Sequence, residues 1–229
     1  MINAILYVNR TDCQWRMLPV NFPPWRTVYF YYWSWQQDGV WQRINEVLVK
    51  KVRKKAERNE RPSAAVIDSQ SVKTSEGGEE RGVDVHKQTP GRKRHLVVDV
   101  LGLVLLVAVH SASIQDGAGG LLTLQKLFDH IKHNLHNRWC RLKLIWADGG
   151  YPSIIDAVRQ RFGWTLQIVK RAEDVQGFQV LPHRWVVERT FGWLGRYRCL
   201  ARDYEHTTLS SESMVYIASS RRVLKMLAT

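Results

Sequence analysis

The chain has 229 residues, 45% of them hydrophobic and 24% charged, and its 34 Lys and Arg against 21 Asp and Glu give a formal net charge of +13 at pH 7. This composition fits a globular protein with one sizeable core, and the charge points to a polyanionic partner, nucleic acid or an anionic membrane. No run reaches the roughly 18 apolar residues of a membrane-spanning helix, and the N-terminus has no basic stretch leading into a long apolar one, so the expected location is the cytoplasm, with no membrane partner. Three well-separated cysteines (Cys13, Cys140, Cys199), with no C-x-x-C pair, indicate neither a disulfide framework nor a zinc site.

Residues 1–62 read as a helical, aromatic segment. Five of the ten tryptophans (Trp15, Trp25, Trp33, Trp35, Trp41) fall within 27 residues there, marking a separate region whose rings suit core packing or base stacking. Trp41, Ile44, Val47, Leu48 and Val52 recur at helical steps. That helix runs into Lys50 to Arg61, where seven basic residues outnumber two acidic ones, and Pro62 closes it. From residue 63 strands alternate with helices. Ala64 to Asp68 is a buried strand ending in an acid, Ser75 to Gly91 a loop, and His95 to Val100 with Leu103 to His110 a hairpin around Leu101-Gly102. Then follow a helix over Gly120 to Asn134, a strand over Leu142 to Ala147, a helix over Pro152 to Phe162, a strand over Thr165 to Val169 and a helix over Arg184 to Leu194. The order predicts an α/β domain over residues 63–229, a mixed sheet flanked by helices.

Asp68 and Asp148 each follow an apolar strand-like run, so neighbouring strands of one sheet can bring the two carboxylates to the same edge. Glu188, on the last predicted helix, can supply a third. Carboxylates gathered in this way repel one another unless a hard cation holds them, and Mg²⁺ is the usual one. A pair of such ions promotes in-line phosphoryl transfer. Each acid also has a plainer reading: Asp68 and Asp148 as turn formers or caps, Glu188 as a solvated partner of Arg184 four residues earlier.

The wording around these acids is more specific than their spacing. The blocks Cys13-Gln14-Trp15-Arg16-Met17-Leu18-Pro19, Phe22-Pro23-Pro24-Trp25-Arg26-Thr27-Val28-Tyr29, Asp68-Ser69-Gln70-Ser71-Val72-Lys73-Thr74, Gly91-Arg92-Lys93-Arg94-His95, Trp146-Ala147-Asp148-Gly149-Gly150-Tyr151 and Arg184-Trp185-Val186-Val187-Glu188-Arg189 resemble bacterial insertion-sequence transposases of the DDE type, in the insertion-sequence-five group. The resemblance implies a ribonuclease-H-like catalytic core and makes Asp68, Asp148 and Glu188 both the catalytic residues and the ligands of Mg²⁺, or Mn²⁺, with two ions expected. Related transposases carry a tyrosine, an arginine and a lysine around the catalytic Glu. Here Arg184 meets the arginine position, whereas Leu181 stands at the tyrosine position and Gly195, with Arg196 beside it, at the lysine position. The group also carries a few tens of residues ahead of the block that begins here at Ile2-Asn3-Ala4-Ile5-Leu6, as expected if this is a truncated copy or one product of a split reading frame.

The implied substrate is double-stranded DNA, at the transposon ends and at the target, bound by a homodimer or higher oligomer that sits on the nucleoid. Lys87, Arg92, Lys93, Arg94, Arg184, Arg189, Arg196 and Arg198 are the expected contacts to its phosphates. A nuclease that cuts without strand transfer, a basic protein that only binds DNA, and an inactive remnant stay open as alternatives.

Overall fold

The computed structural model describes residues 1–75, 77–134, 141–169 and 184–228; Cys140 and Leu181 lie outside these. Its centre is a mixed sheet. β1 (Ala64–Lys73) is paired on one side with the antiparallel β3 (Thr89–Asp99), whose far edge carries β4 (Val104–Ser111) and the short β2 (Gly82–Asp84). On its other side β1 runs parallel to β5 (Leu144–Ala147), which is parallel to β6 (Thr165–Ile168).

Both faces of the sheet are covered, which is why the first part of β1, Ala64 to Ile67, reads as an apolar run. Alternate side chains divide between two cores. Ala65, Ile67, Val97, Leu106 and Ile145 pack with α4 (Asp116–Asn134) and α5 (Ile155–Phe162). Val66, Leu96, Val98, Val107 and Val109 pack on the opposite face with Val186, Val187 and Leu194 of α6 (Trp185–Leu194) and with Met214 to Ala218 of α8 (Thr208–Ala228). Cys199 and Leu200 of the single-turn α7 (Arg198–Ala201) join that second core.

The N-terminal helices α1 (Ile2–Thr11), α2 (Trp25–Gln37) and α3 (Val40–Lys55) have no core of their own. Ala4, Ile5, Val28, Tyr32 and Trp41 belong to the same cluster as the sheet residues, and Asn45 reaches both the Val104 carbonyl and Ser219 of α8. The change of character near residue 62 is therefore a change of secondary structure, with the helices packed into the core on one face of the sheet.

Two sequence expectations are corrected, and one helix is added. Ser75 to Gly91 is not all loop: it contains β2, and β3 begins at Thr89 rather than His95, because carboxylates and carbonyls accept the charged side chains of its first half. Lys50 to Arg61 is not one basic helical face, since α3 ends at Lys55 and Arg53 is buried in an ion pair with Asp99. The long α8 is the added helix. Ser210 to Ser220 are buried all round, and a helix without a wet side shows no polar stripe.

Candidate active site

The β1–β5 register sets the site. Ala64, Ala65 and Val66 lie opposite Leu144, Ile145 and Trp146, and continuing that register by two residues brings Asp68 level with Asp148, just past the end of β5. Asp68 lies within β1 rather than at its end, and it is the shorter β5 that exposes the pair. Asp148 opens a tight turn in which its Oδ1 accepts the Gly150 N–H at 2.8 Å. The Asp68 Oδ1 accepts the N–H of Ser69 at 2.7 Å.

Helix α6 lies over the same edge and contributes the third acid from its first turn. The Nη2 atom of Arg184 lies 3.3 Å from Glu188 Oε1, 3.7 Å from Asp148 Oδ2 and 4.0 Å from Asp68 Oδ2. With all three oxygens within 4.0 Å of one atom, no two of them can be farther apart than twice that distance. The structure thus brings together the three acids that lie 80 and 40 positions apart in the sequence.

Burial raises the carboxyl of Asp68 to a pKa of about 6, the Ser69 N–H opposes the rise and the charge of Asp148 adds to it. Such a carboxylate gains from any cation placed between it and its neighbours. Arg184 supplies that charge here. The donor set, three carboxylates and no sulfur, suits a hard divalent ion. Among the described residues no three His, Cys, Asp or Glu side chains stand close enough together to hold one. The acids are spaced around a guanidinium, so a divalent ion held by them would have to take the place of Arg184.

A second layer behind Asp68 escaped the sequence reading. Asp116, in the first turn of α4, accepts the Ser69 hydroxyl at 2.8 Å and pairs with Lys93 at 2.8 Å. A Cβ added to Gly150 would lie 3.3 Å from the Cβ of Asp116, so this acid also backs the Asp148 turn. Nothing in its local sequence distinguishes Asp116 from an ordinary first-turn acid. Deeper still, His95 Nδ1 and His110 Nε2 are 2.9 Å apart, and burial, then the neighbouring His110, lowers the pKa of His95 to about 3. The Tyr151 hydroxyl is buried beside Ser69, and burial, then Asp68, raises its pKa well above the usual phenol value.

The expected DNA contacts divide into two groups. Arg92, Lys93 and Arg94 cannot serve: Arg92 is 0% exposed and donates to the carbonyls of Glu79, Glu205 and His206, Arg94 donates to the Leu200 carbonyl, and both lie 3.6 Å from Asp203. Lys93 is held by Asp84, Asp116 and the Ile114 carbonyl. These three charges tie β3 to the C-terminal part of the chain and to α4. Lys87 is exposed on the β2–β3 hairpin, near enough to Asp68 to lower its pKa. Arg196 and Arg198 are exposed beyond α6, while Arg189 is half-buried between the rings of Trp185 and Trp193, at 4.3 and 4.4 Å.

A sequence model described as the transposase DDE domain matches residues 59–218, well over half of the chain. The chain belongs to this family of DDE transposases. A second model, for proposed transposases of the IS4/5 family, matches residues 1–45. A proposed transposase for insertion sequence element IS402 from Burkholderia cepacia is 34% identical over 118 residues, which is 51% of this chain and 54% of that one. The chain therefore spans about half the length of this relative. No solved structure matches. Transposases with this domain act on DNA and generally use divalent metal ions. Among the described residues no helix is long and apolar enough to cross a membrane.

Proposed function

We propose that this chain is the catalytic part of an insertion-sequence transposase, which hydrolyses a phosphodiester at the element's ends and joins the freed 3′-hydroxyl to target DNA. In this reading the sheet with α4, α5 and α6 is a ribonuclease-H-like core, residues 1–62 form an accessory segment built onto it, and the substrate is duplex DNA held by at least two copies of the chain. The observation that carries the reading is the meeting of Asp68, Asp148 and Glu188 at one guanidinium.

Those three acids would hold the divalent ions, Mg²⁺ or Mn²⁺, two in number. When bound, such ions activate an attacking oxygen and offset charge on the leaving one. Asp68 and Asp148 are fixed by strand pairing and by their hydrogen bonds to Ser69 and Gly150, so their oxygens need little reorganisation. Glu188 is the adjustable member, its side chain 53% exposed on a helical turn. Arg184, once released from the acids, is placed to meet the anionic phosphate, and Lys87 lies near Asp68 at the same edge. Asp116 holds the Ser69 hydroxyl and supports the Asp148 turn.

Cleavage and joining of DNA carrying the element's end tests the reading. Mg²⁺-dependent cutting followed by joining of a pre-cut end supports it; cutting without joining indicates a nuclease, and neither activity from the full-length product overturns it.

A further inference from the structure

Between α1, the end of α6 and α8 lies a cluster of positive charge that the catalytic site does not use. Arg10 of α1, Arg196 after α6, and Arg221, Arg222 and Lys225 of α8 converge with Trp193 and Tyr197 around a cavity of about 300 Å³. Among the described residues, no acidic side chain lines it. An ordinary solvated basic face consists of flexible side chains pointing into water; this one is built. The Arg222 guanidinium lies 3.3 Å from the centroid of the Trp193 ring and donates to the Gly102 carbonyl at 2.8 Å. Arg10 lies over the Tyr197 ring at 5.1 Å and donates to the Arg196 carbonyl.

Rings and carbonyls orient these guanidiniums without neutralising them. Partial burial lowers the pKa of Arg222 to about 10, and repulsion from the nearby Arg189 adds to it. A group that brings negative charge relieves that repulsion, and planar guanidiniums match phosphate oxygens.

We infer that the cavity between α1, α6 and α8 is a phosphate-binding subsite that grips the DNA backbone away from the catalytic acids. The inference rests on the transposase reading for its ligand. Trp193 stands five residues after Glu188 on the same helix, about 7.5 Å of helical rise, against about 3.4 Å per nucleotide along one DNA strand. Five residues also turn the helix by about 140°, so the subsite opens on another side of α6 from Glu188 and anchors a neighbouring stretch of the DNA backbone while the acids act.

Binding of a fluorescent 30-base-pair duplex of arbitrary sequence, titrated across salt, tests it without requiring catalysis. The double variant Arg221→Gln/Lys225→Gln should weaken binding about tenfold and flatten the dependence of log K on log salt by nearly two units, because each lost phosphate contact removes about 0.9. Lys143→Gln/Arg159→Gln, which removes the same charge from exposed positions elsewhere, should change binding less than twofold. Arginine labelling by phenylglyoxal on the wild-type protein gives a second readout: bound duplex should protect Arg10, Arg196 and Arg221 and leave Arg159 open. Equal effects of the two double variants, or equal labelling of Arg221 with and without duplex, would overturn the subsite while leaving the transposase reading intact. Failure of the wild-type protein to bind duplex at any salt would sink both.

Discussion

Arg184→Gln should tighten the binding of a divalent ion while lowering cleavage. The guanidinium lies 3.3, 3.7 and 4.0 Å from three carboxylate oxygens. At such separations a unit pair is worth about 4 kcal/mol at an effective dielectric of about 20, but pairs in contact with water measure only about 0.2–1 kcal/mol. Arg184 and Asp68 are mostly buried, which puts their pair towards the upper end of that range, while the pair with half-exposed Glu188 falls lower. Together they give about 1–3 kcal/mol that an entering ion must displace, a factor of roughly 5 to 150 in affinity. Calorimetric titration of Mn²⁺ into both proteins measures it directly. The variant should bind more tightly by that factor and, without metal, melt at a lower temperature because three acids are left facing one another. Unchanged or weaker Mn²⁺ binding would refute the idea that arginine and ion share one place.

Other outcomes follow from the surroundings of the site. Asp116→Asn should slow cleavage by about tenfold or more at unchanged DNA affinity, since it loosens Ser69 and the Asp148 turn without touching phosphate; gel-shift and single-turnover assays separate the two. Buried His95 is held neutral, its pKa lowered to about 3, so the native state binds fewer protons than the unfolded chain between pH 3 and 6.5. The stability this residue contributes is complete above about pH 6.5 and is lost as pH falls towards 3, at up to about 1.4 kcal/mol per pH unit. Urea unfolding of wild type and His95→Gln across that range should show a shallower pH slope in the variant. Ile217→Ala, in the middle of the buried α8, should cost about 2–5 kcal/mol by chemical denaturation. A chain cut to residues 63–229 should fail to give a sharp thermal transition, because α1–α3 cover the core face of the sheet.

The sequence made the sheet legible where side-chain chemistry and strand pattern agreed. Val66 to Asp68 and Leu144 to Asp148 read as strands leading to acids because both sheet faces are apolar there, and the i, i+4 spacing of Arg184 and Glu188 foretold their contact. What stayed hidden was partnership over long distances. Arg92 and Arg94 look like a DNA-binding patch in sequence because Asp203, which takes both charges, lies over 100 residues away. Asp116 was invisible for the same reason: its partners Ser69 and Lys93 come from β1 and β3. α8 was missed because its middle, Ser210 to Ser220, is buried all round and shows no polar stripe.

The most direct test is Mg²⁺-dependent cleavage of end-bearing duplex by wild type and Glu188→Gln, with Asp156→Asn, an exposed acid on α5, as the control. Glu188→Gln keeps the size and hydrogen bonding of the side chain while removing the charge an Mg²⁺ ligand needs. The account predicts that cleavage by Glu188→Gln falls at least a hundredfold with DNA affinity retained, and that Asp156→Asn cuts like wild type. Near wild-type cleavage by Glu188→Gln would contradict it and leave Glu188 as no more than the ion-pair partner of Arg184.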